Sequence, residues 1–329
     1  MTHHRVRIYE QGPPSVMWHE EVLNPLPAPA NGQVLIKQEA IGVNFVDTMF
    51  RDGTFNVPLP FDMGVEAAGV VTAIGPDVKD FRVGDRVAYF FAPGAYTDAR
   101  LISTSALVML PDSVPARQAA AILSKGLTAW MAVRRAHVVK AGQLVYVSGA
   151  SGAVGSLIAK WAVALGATVI AAVGSEQKAL QARDAGLSNV VVTSAPDFAE
   201  QVDKIVAGRA IDVVYELVGR ATFEQSAALL GAGGSLIHIG NASGAASVDL
   251  AKLAARSIRY LQPSTPQYVK LQHGVGEATE ELFEALRSGV FGDIAISEYA
   301  LEDAVRAHND IAQRRIQGFP ILIPAFDAV

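Results

Sequence analysis

The sequence predicts an α/β protein in which a turn-rich, antiparallel β domain precedes a doubly wound parallel sheet. Two contrasting textures predict it. Up to about Lys125, Pro and Gly recur every few residues between short apolar runs, whereas from Gly126 to about Tyr260 continuous Val/Ile/Ala runs alternate with helical stretches. The first texture is that of short strands joined by tight turns, barrel-like at this density. The second is that of strands covered on both faces and joined by crossover helices. With 329 residues, 50% of them apolar, the chain can fill two cores of ordinary size.

In chain order, "QVLIKQEAIGV", "GVVTAIG" and "DRVAYFFAPGAYTDARLI" supply strands of the first region. In the second, the strands "LVYVSG", "TVIAAVG", "NVVVT", "IDVVYELVG" and "GSLIHIG" are separated by helices expected at Val154–Ala164, Glu176–Ala185, Phe198–Val206 and Thr222–Leu230. The last part carries helices around Glu277–Ser288 and Leu301–Arg314, then "FPILIP", whose flanking prolines suit an edge strand. Alone it is too short for a domain. Leu157 to Gly174 is apolar enough to suggest a membrane span, but Lys160 and Gly166 interrupt it, so it reads as a buried helix followed by a buried strand. The opening "MTHHRVRIYEQGPP" lacks the apolar core and cleavage site of a signal peptide, and the expected location is the cytoplasm.

Composition excludes several chemistries. No Cys is present, so disulfides, thiolate metal sites and a cysteine nucleophile are out. A net charge of −5 with scattered Lys and Arg gives no basic stripe for nucleic acid. "SGASGA" fails G-x-S-x-G because Gly152 directly follows Ser151, and "HEEVL" at His19 lacks the second His of H-E-x-x-H. His238, inside the apolar run "SLIHIG", reads as a packed strand residue rather than a base or a metal ligand.

The chemistry-bearing stretch is "VYVSGASGAVG". Gly149, Gly152 and Gly155 lie between the strand Leu144–Ser148 and a helix starting near Ala153. A dinucleotide's pyrophosphate binds at such a place, against unpaired N–H groups and the positive end of the helix dipole. The spacing is G-x-x-G-x-x-G rather than G-x-G-x-x-G, and a tight turn without ligand is the alternative. At the end of the second strand, where an NAD enzyme has an acid for the ribose hydroxyls, this chain has Gly174 followed by Ser175 and Lys178. A hydroxyl and a positive charge without a carboxylate favour a 2′-phosphate, hence NADP(H). Ser175 as a simple N-cap and Lys178 as a solvated residue is the competing reading, and Glu176 would oppose a phosphate unless it points away.

Taken together, "GVNFVDTMFRDG" (Gly42–Gly53), "GVEAAGVVTAIGPDVKDFRVGDRVAY" (Gly64–Tyr89), "SKGLTAW" (Ser124–Trp130), the glycine loop, "LVGRATFEQS", "HIGNASGA" and "LEDAVRAHNDIAQRRIQGFPILIP" resemble the medium-chain dehydrogenase/reductase superfamily. Within it the chain looks like the zinc-free NADPH:quinone oxidoreductases of the zeta-crystallin type. The resemblance implies a GroES-like catalytic domain over 1–125, a Rossmann NADP-binding domain over 126–260 and a return to the catalytic domain over 261–329, and it suggests a homodimer joined through the coenzyme domain. It places the pyrophosphate against Ser151, Gly152, Ala153 and Val154, the 2′-phosphate against Ser175 and Lys178, and the adenosine end under Arg314, with Arg315 a substitute. Asn241 is implied near the nicotinamide and Thr128 near its ribose, while Asn44 and Asp47 are implied as catalytic residues bordering it. Thr193 stands where many relatives have Tyr, so part of the usual phosphate grip is missing or supplied differently, and Met49 and Phe55 stand where close relatives often have Tyr, which leaves a more apolar substrate face.

The implied activity is NADPH-dependent reduction of a quinone without zinc, in which Asn44 donates to a carbonyl oxygen and Asp47 orients its neighbours. Both have plainer uses, Asn44 as a helix cap and Asp47 as a first-turn acid. Reduction of an enone or 2-enoyl thioester is the alternative within enzymes. From another class, the alternative is an NADPH-binding structural or RNA-binding protein with little turnover.

Overall fold

The computed structural model describes residues 3–271 and 275–325; the extreme ends of the expected domains, and 272–274, lie outside it. The chain divides into two compact units, one of Met1–Lys125, Val275–Phe283 and Asp293–Val329, the other of Gly126–Gly274 and Glu284–Gly292.

The first unit begins with β1 (His3–Ile8), β2 (Met17–Val22), β3 (Gln33–Gly42), α1 (Phe45–Asp52), β4 (Phe61–Asp62), β5 (Glu66–Ile74), β6 (Arg86–Tyr89), β7 (Ala99–Ser103) and β8 (Leu107–Met109). Strands β2-β1-β4 form one sheet, and a second carries β5, β6 and β8 beyond β3, with β7 also paired to β3. In β3 the inward positions Val34, Ile36, Gln38 and Ala40 alternate with more exposed ones, the period of a strand with one face on a core. Helix α1 starts at Asn44 and stops at Gly53, whose φ of 89° continues no right-handed helix.

Helix α2 (Ala116–Trp130) leads into a π-helical turn, Met131–Ala136. The second unit then alternates β9 (Leu144–Ser148), α3 (Ala153–Ala164), β10 (Thr168–Val173), α4 (Glu176–Asp184), β11 (Val190–Val192), α5 (Phe198–Val206), β12 (Ile211–Glu216), α6 (Phe223–Leu229), β13 (Leu230–His238), α7 (Leu250–Ala255) and β14 (Arg259–Leu261). Its sheet is parallel throughout, in the order β11-β10-β9-β12-β13-β14. Every residue of β9 is buried, which explains its unbroken apolar run. Between β9 and β12 the order reverses direction, and ligands of open α/β sheets bind outside the carboxyl ends of strands at such a point. Among the described residues no helix is long and apolar enough to cross a membrane, and Leu157 to Gly174 is divided between α3 and β10.

Helices α8 (Thr265–Leu271) and α9 (Val275–Arg287) follow, and β15 (Ile296–Ala300), α10 (Ala304–Ala312) and β16 (Phe319–Ile323) belong to the first unit. The helix expected over Leu301–Arg314 is shorter, a 3-10 turn at Leu301–Asp303 followed by α10. The edge-strand expectation for "FPILIP" is corrected. Strand β16 is interior, parallel to β15 on one side and antiparallel to β3 on the other. Proline is tolerated there because pairing with β3 runs only from Ile321 and Leu322, and Pro320 needs only its carbonyl, which accepts from Val43 N at 3.1 Å.

Candidate functional site

In the second unit the three glycines of the loop after β9 serve different ends. Gly149 has φ 65°, a conformation that L side chains rarely adopt. At Gly155 a Cβ would lie 2.3 Å from the Gly149 carbonyl oxygen, so close packing of α3 on the loop requires its absence. Gly152 is under neither constraint to the same degree: its φ is −80° and its nearest Cβ neighbour would be Gly149 O at 3.3 Å. It is the exposed N-cap of α3, and no side chain caps that helix. The first N–H groups of a helix have no intrahelical partner, and here they emerge beside Ser151, Gly152, Ala153 and Val154 at the switch point of the sheet.

Gly174, just past β10, is exposed, and a Cβ there would meet nothing within 4 Å. The fold therefore has no need of a glycine at this position. Ser175 is the N-cap of α4, its Oγ accepting from Lys178 N at 3.4 Å, so the plainer reading of that serine is realised. Lys178 is half-buried in the first turn, and Glu176 is exposed at its start. Thr193 uses its hydroxyl on Val173 O at 3.3 Å. Thr128, half-buried, accepts from Thr265 Oγ1 at 3.1 Å. Asn241, half-buried just past β13, has Oδ1 3.0 Å from His238 Nε2.

The loop bearing Asn241 is tied to the one after β12. Buried Glu216 accepts from Val218 N (2.8 Å), Gly219 N (2.9 Å) and Thr222 Oγ1 (2.8 Å), while Ser148 Oγ accepts from Leu217 N at 2.8 Å. These bonds set the chain beyond β12, on which the 239–244 loop packs backbone to backbone: a Cβ on Gly240 would lie 2.5 Å from Leu217 O.

In the first unit a buried polar cluster surrounds the start of α1. Asn44 Nδ2 donates to Glu66 Oε1 at 2.7 Å, Lys125 Nζ reaches the same oxygen at 3.1 Å, and Ser124 N donates to Glu66 Oε2 at 2.6 Å. Glu66 is fully buried and Lys125 nearly so. An ion pair this deep persists because hydrogen bonds satisfy the carboxylate as well as the opposite charge. Asp47 Oδ2 accepts from Asn44 N at 2.8 Å and from Tyr96 OH at 3.0 Å, and Tyr96 OH lies 3.0 Å from His308 Nε2. Burial pushes the Asp47 carboxyl up to about 7, outweighing the hydrogen bonds from Asn44 and Tyr96. Burial pushes the His308 ring down to about 3, helped by the Arg51 guanidinium.

Asn44 and Asp47 are thus brought together, as a helix cap and its first-turn acid. One Asn44 N–H is committed to Glu66, and Asp47 has no exposed surface. Met49 is half-buried, and Phe55, 45% exposed, packs its ring on Phe50 at 5.7 Å. Arg314 follows α10 with left-handed backbone (φ 56°) and an exposed side chain, whereas Arg315 is bound to Asp310 through Nε at 2.9 Å. Glu66, Lys125, Tyr96 and His308 do not stand out in the sequence; the signal within reach is two charges, in "GVEAAG" and "SKGLTAW", inside otherwise apolar or small-residue stretches.

Residues 30–140 match the alcohol dehydrogenase GroES-like domain family, and residues 153–281 match the zinc-binding dehydrogenase family. A quinone oxidoreductase of Salmonella typhimurium is 38% identical over 327 residues, covering 97% of this chain and 99% of that protein. The chain belongs to the quinone oxidoreductase family. This family lies within the medium-chain dehydrogenase/reductase superfamily. Another relative, a 2-haloacrylate reductase of a Burkholderia species, is 36% identical over 95% of this chain and 96% of its own. The solved quinone oxidoreductase of Escherichia coli complexed with NADPH superposes with a TM-score of 0.90 at 36% identity, over 98% of this chain and all of that one.

The zinc in the second family's description does not fit this member of the quinone oxidoreductases. It has no Cys, and among the described residues no group of three or more His, Asp and Glu could hold a metal ion. Glu66, the buried carboxylate beside Asn44, already meets an ammonium and two N–H donors.

Proposed function

We propose that the protein is an NADPH:quinone oxidoreductase that works without zinc. The observation that carries this reading is the pair of glycines the fold requires least, Gly152 at an uncapped helix N-terminus and Gly174 at the end of the next strand, with Lys178 in the turn beyond. Space and positive potential at both points suit a pyrophosphate and a 2′-phosphate. The NADPH complex of the Escherichia coli relative supports the same coenzyme. Gly149, Ser151, Gly152, Ala153, Val154 and Gly155 are assigned to the pyrophosphate loop, and Gly174, Ser175 and Lys178 to the 2′-phosphate. Thr128 and Asn241 are assigned to the nicotinamide nucleoside, and Arg314 to the adenosine end.

Reduced nicotinamide supplies the hydride when bound. The chain's own task is to hold the acceptor in place and to favour charge developing on its oxygen. Asn44 keeps one N–H for that purpose while Glu66 holds the other, and Glu66 is itself held by Lys125 and Ser124. Asp47 secures the Asn44 backbone, so the amide is presented from a fixed helix start.

Oxidation of NADPH and NADH, followed by the loss of nicotinamide absorbance in the presence of chelator, with a benzoquinone, an alkyl enone and crotonyl-CoA as acceptors, tests the reading. Chelator-insensitive oxidation of NADPH by the quinone is expected. Lys178→Glu should weaken NADPH far more than NADH; equal loss would remove Lys178 from the 2′-phosphate site. Kinship with a 2-haloacrylate reductase favours a second reading, reduction of an activated alkene, and preference for the enone would select it. A homodimer and a cytoplasmic location belong to the same proposal, the first checked by sedimentation.

A further inference from the structure

His238 is 3% exposed at the end of β13, between the rings of Phe223 (5.2 Å) and Tyr260 (6.2 Å). Its polar contacts determine its tautomer. Nε2 faces the Gly240 carbonyl oxygen at 3.2 Å as well as Asn241 at 3.0 Å, and Nδ1 faces Tyr260 OH at 2.9 Å. A carbonyl oxygen only accepts, so Nε2 carries hydrogen. In the neutral ring Nδ1 is then a lone pair, and Tyr260 OH donates to it. With a hydrogen on Nε2, the Asn241 amide can meet the ring only through Oδ1, because the opposite flip would set donor against donor.

The orientation of Asn241 is therefore dictated from beneath. Its Oδ1 is held by His238 and its backbone is pressed against Gly219, where a Cβ would come within 3.0 Å of Asn241 Cα. Asn241 Nδ2 is left without a hydrogen-bond partner among the described residues, on a half-buried residue at the carboxyl edge of the sheet.

We infer that His238 and Tyr260 are positioning residues that fix Asn241 as a hydrogen-bond donor toward an oxygen of the coenzyme's nicotinamide nucleoside. This rests on the coenzyme reading above. It also revises the view of His238 as packing alone: a purely apolar strand residue would leave the Asn241 amide free to flip and to offer either group.

The test compares two ligands, NADPH and adenosine 2′,5′-bisphosphate, which lacks the nicotinamide half. His238→Phe, which keeps an aromatic ring among Phe223 and Tyr260, should weaken NADPH roughly five- to tenfold, the loss expected when one neutral hydrogen bond is no longer held in place. It should leave the bisphosphate unchanged. Tyr260→Phe, which frees Nδ1, should weaken NADPH in the same direction and by less. Equal weakening of both ligands would mean general damage to the sheet edge and would overturn the inference, as would an unchanged affinity for NADPH. Nitrogen-15 spectra of the wild-type histidines decide independently of any variant, since His238 must appear as the Nε2–H tautomer, and the Nδ1–H form would refute the assignment. A wild type that binds the bisphosphate but gains nothing from the rest of NADPH would also refute it, whereas binding of neither ligand would instead overturn the coenzyme reading.

Discussion

Replacing Asp47 by Asn tests whether the buried cluster of the first unit carries the charge state derived for it. The carboxyl is fully buried and titrates at about 7 in the folded chain, against an ordinary 3.8, because burial penalises its charged form. An acid whose folded pKa is raised contributes its full stability below the unfolded pKa and loses it as pH rises to the folded one. Each pH unit between those two values removes about 1.36 kcal/mol. At about pH 5 the native state has given up roughly 1.7 kcal/mol of that contribution, and at about pH 8 roughly 4 kcal/mol. Asn cannot ionise, yet its Oδ1 can still accept from Asn44 N and Tyr96 OH. Between those two conditions the variant should therefore gain roughly 2–3 kcal/mol on the wild type. Urea titrations of both proteins at each pH measure this difference. His308, whose pKa is lowered, destabilises the fold as pH falls below its ordinary range, but it does so in both proteins and cancels from the comparison. A stability gap that stays level with pH would show a carboxyl little perturbed, and one that widens in the wild type's favour as pH rises a carboxyl held below its ordinary value; either would mean that Asp47 is ionised in the native state and would refute the reasoning.

Lys125→Met should cost roughly 3–5 kcal/mol in urea titrations because it strands the buried Glu66 charge, and adding Glu66→Gln should recover much of that loss. Gly155→Ala should destabilise the second unit by about 1–3 kcal/mol, since its methyl would meet the Gly149 backbone at 2.3 Å. Gly152→Asp should do the opposite to stability and destroy function: an aspartate at the N-cap of α3 leaves the melting temperature level or slightly raised. NADPH binding, measured by fluorescence titration, should then vanish, because the carboxylate faces the expected pyrophosphate. A folded Gly152→Asp protein with unchanged NADPH affinity would refute the loop assignment.

Most of the second unit was legible because its strands are buried on both faces and separated by helices long enough to show a period. The pieces that escaped, α7, β14 and α8, are short, and β14 is only Arg259–Leu261, too brief for any pattern to stand out. Strand β16 was legible as a strand but not as an interior one, because Pro320 forbids one hydrogen bond without saying which neighbour would have received it. The polar groups show a sharper limit. Asn44 and Asp47 are named through the family resemblance, and the plainer uses open to them, a helix cap and its first-turn acid, are local enough for the structure to show both three residues apart. Glu66 and Lys125 lie 59 residues apart, and His238 and Tyr260 lie 22 apart, so only the fold brings each pair together.

The glycines mark the same boundary from the other side. In sequence Gly149, Gly152 and Gly155 are three equal members of one motif, and each speaks for a ligand as strongly as the next. In the structure Gly149 answers to its backbone conformation and Gly155 to the packing of α3, so an empty turn would keep both. Only Gly152, together with Gly174 outside the motif, is left to speak for a bound dinucleotide. At Gly174 the protein omits a side chain that its own fold would accommodate outright, and at Gly152 one that would ask only a few tenths of an ångström of the Gly149 carbonyl, so the fold alone gives little reason for either omission and a received ligand supplies one.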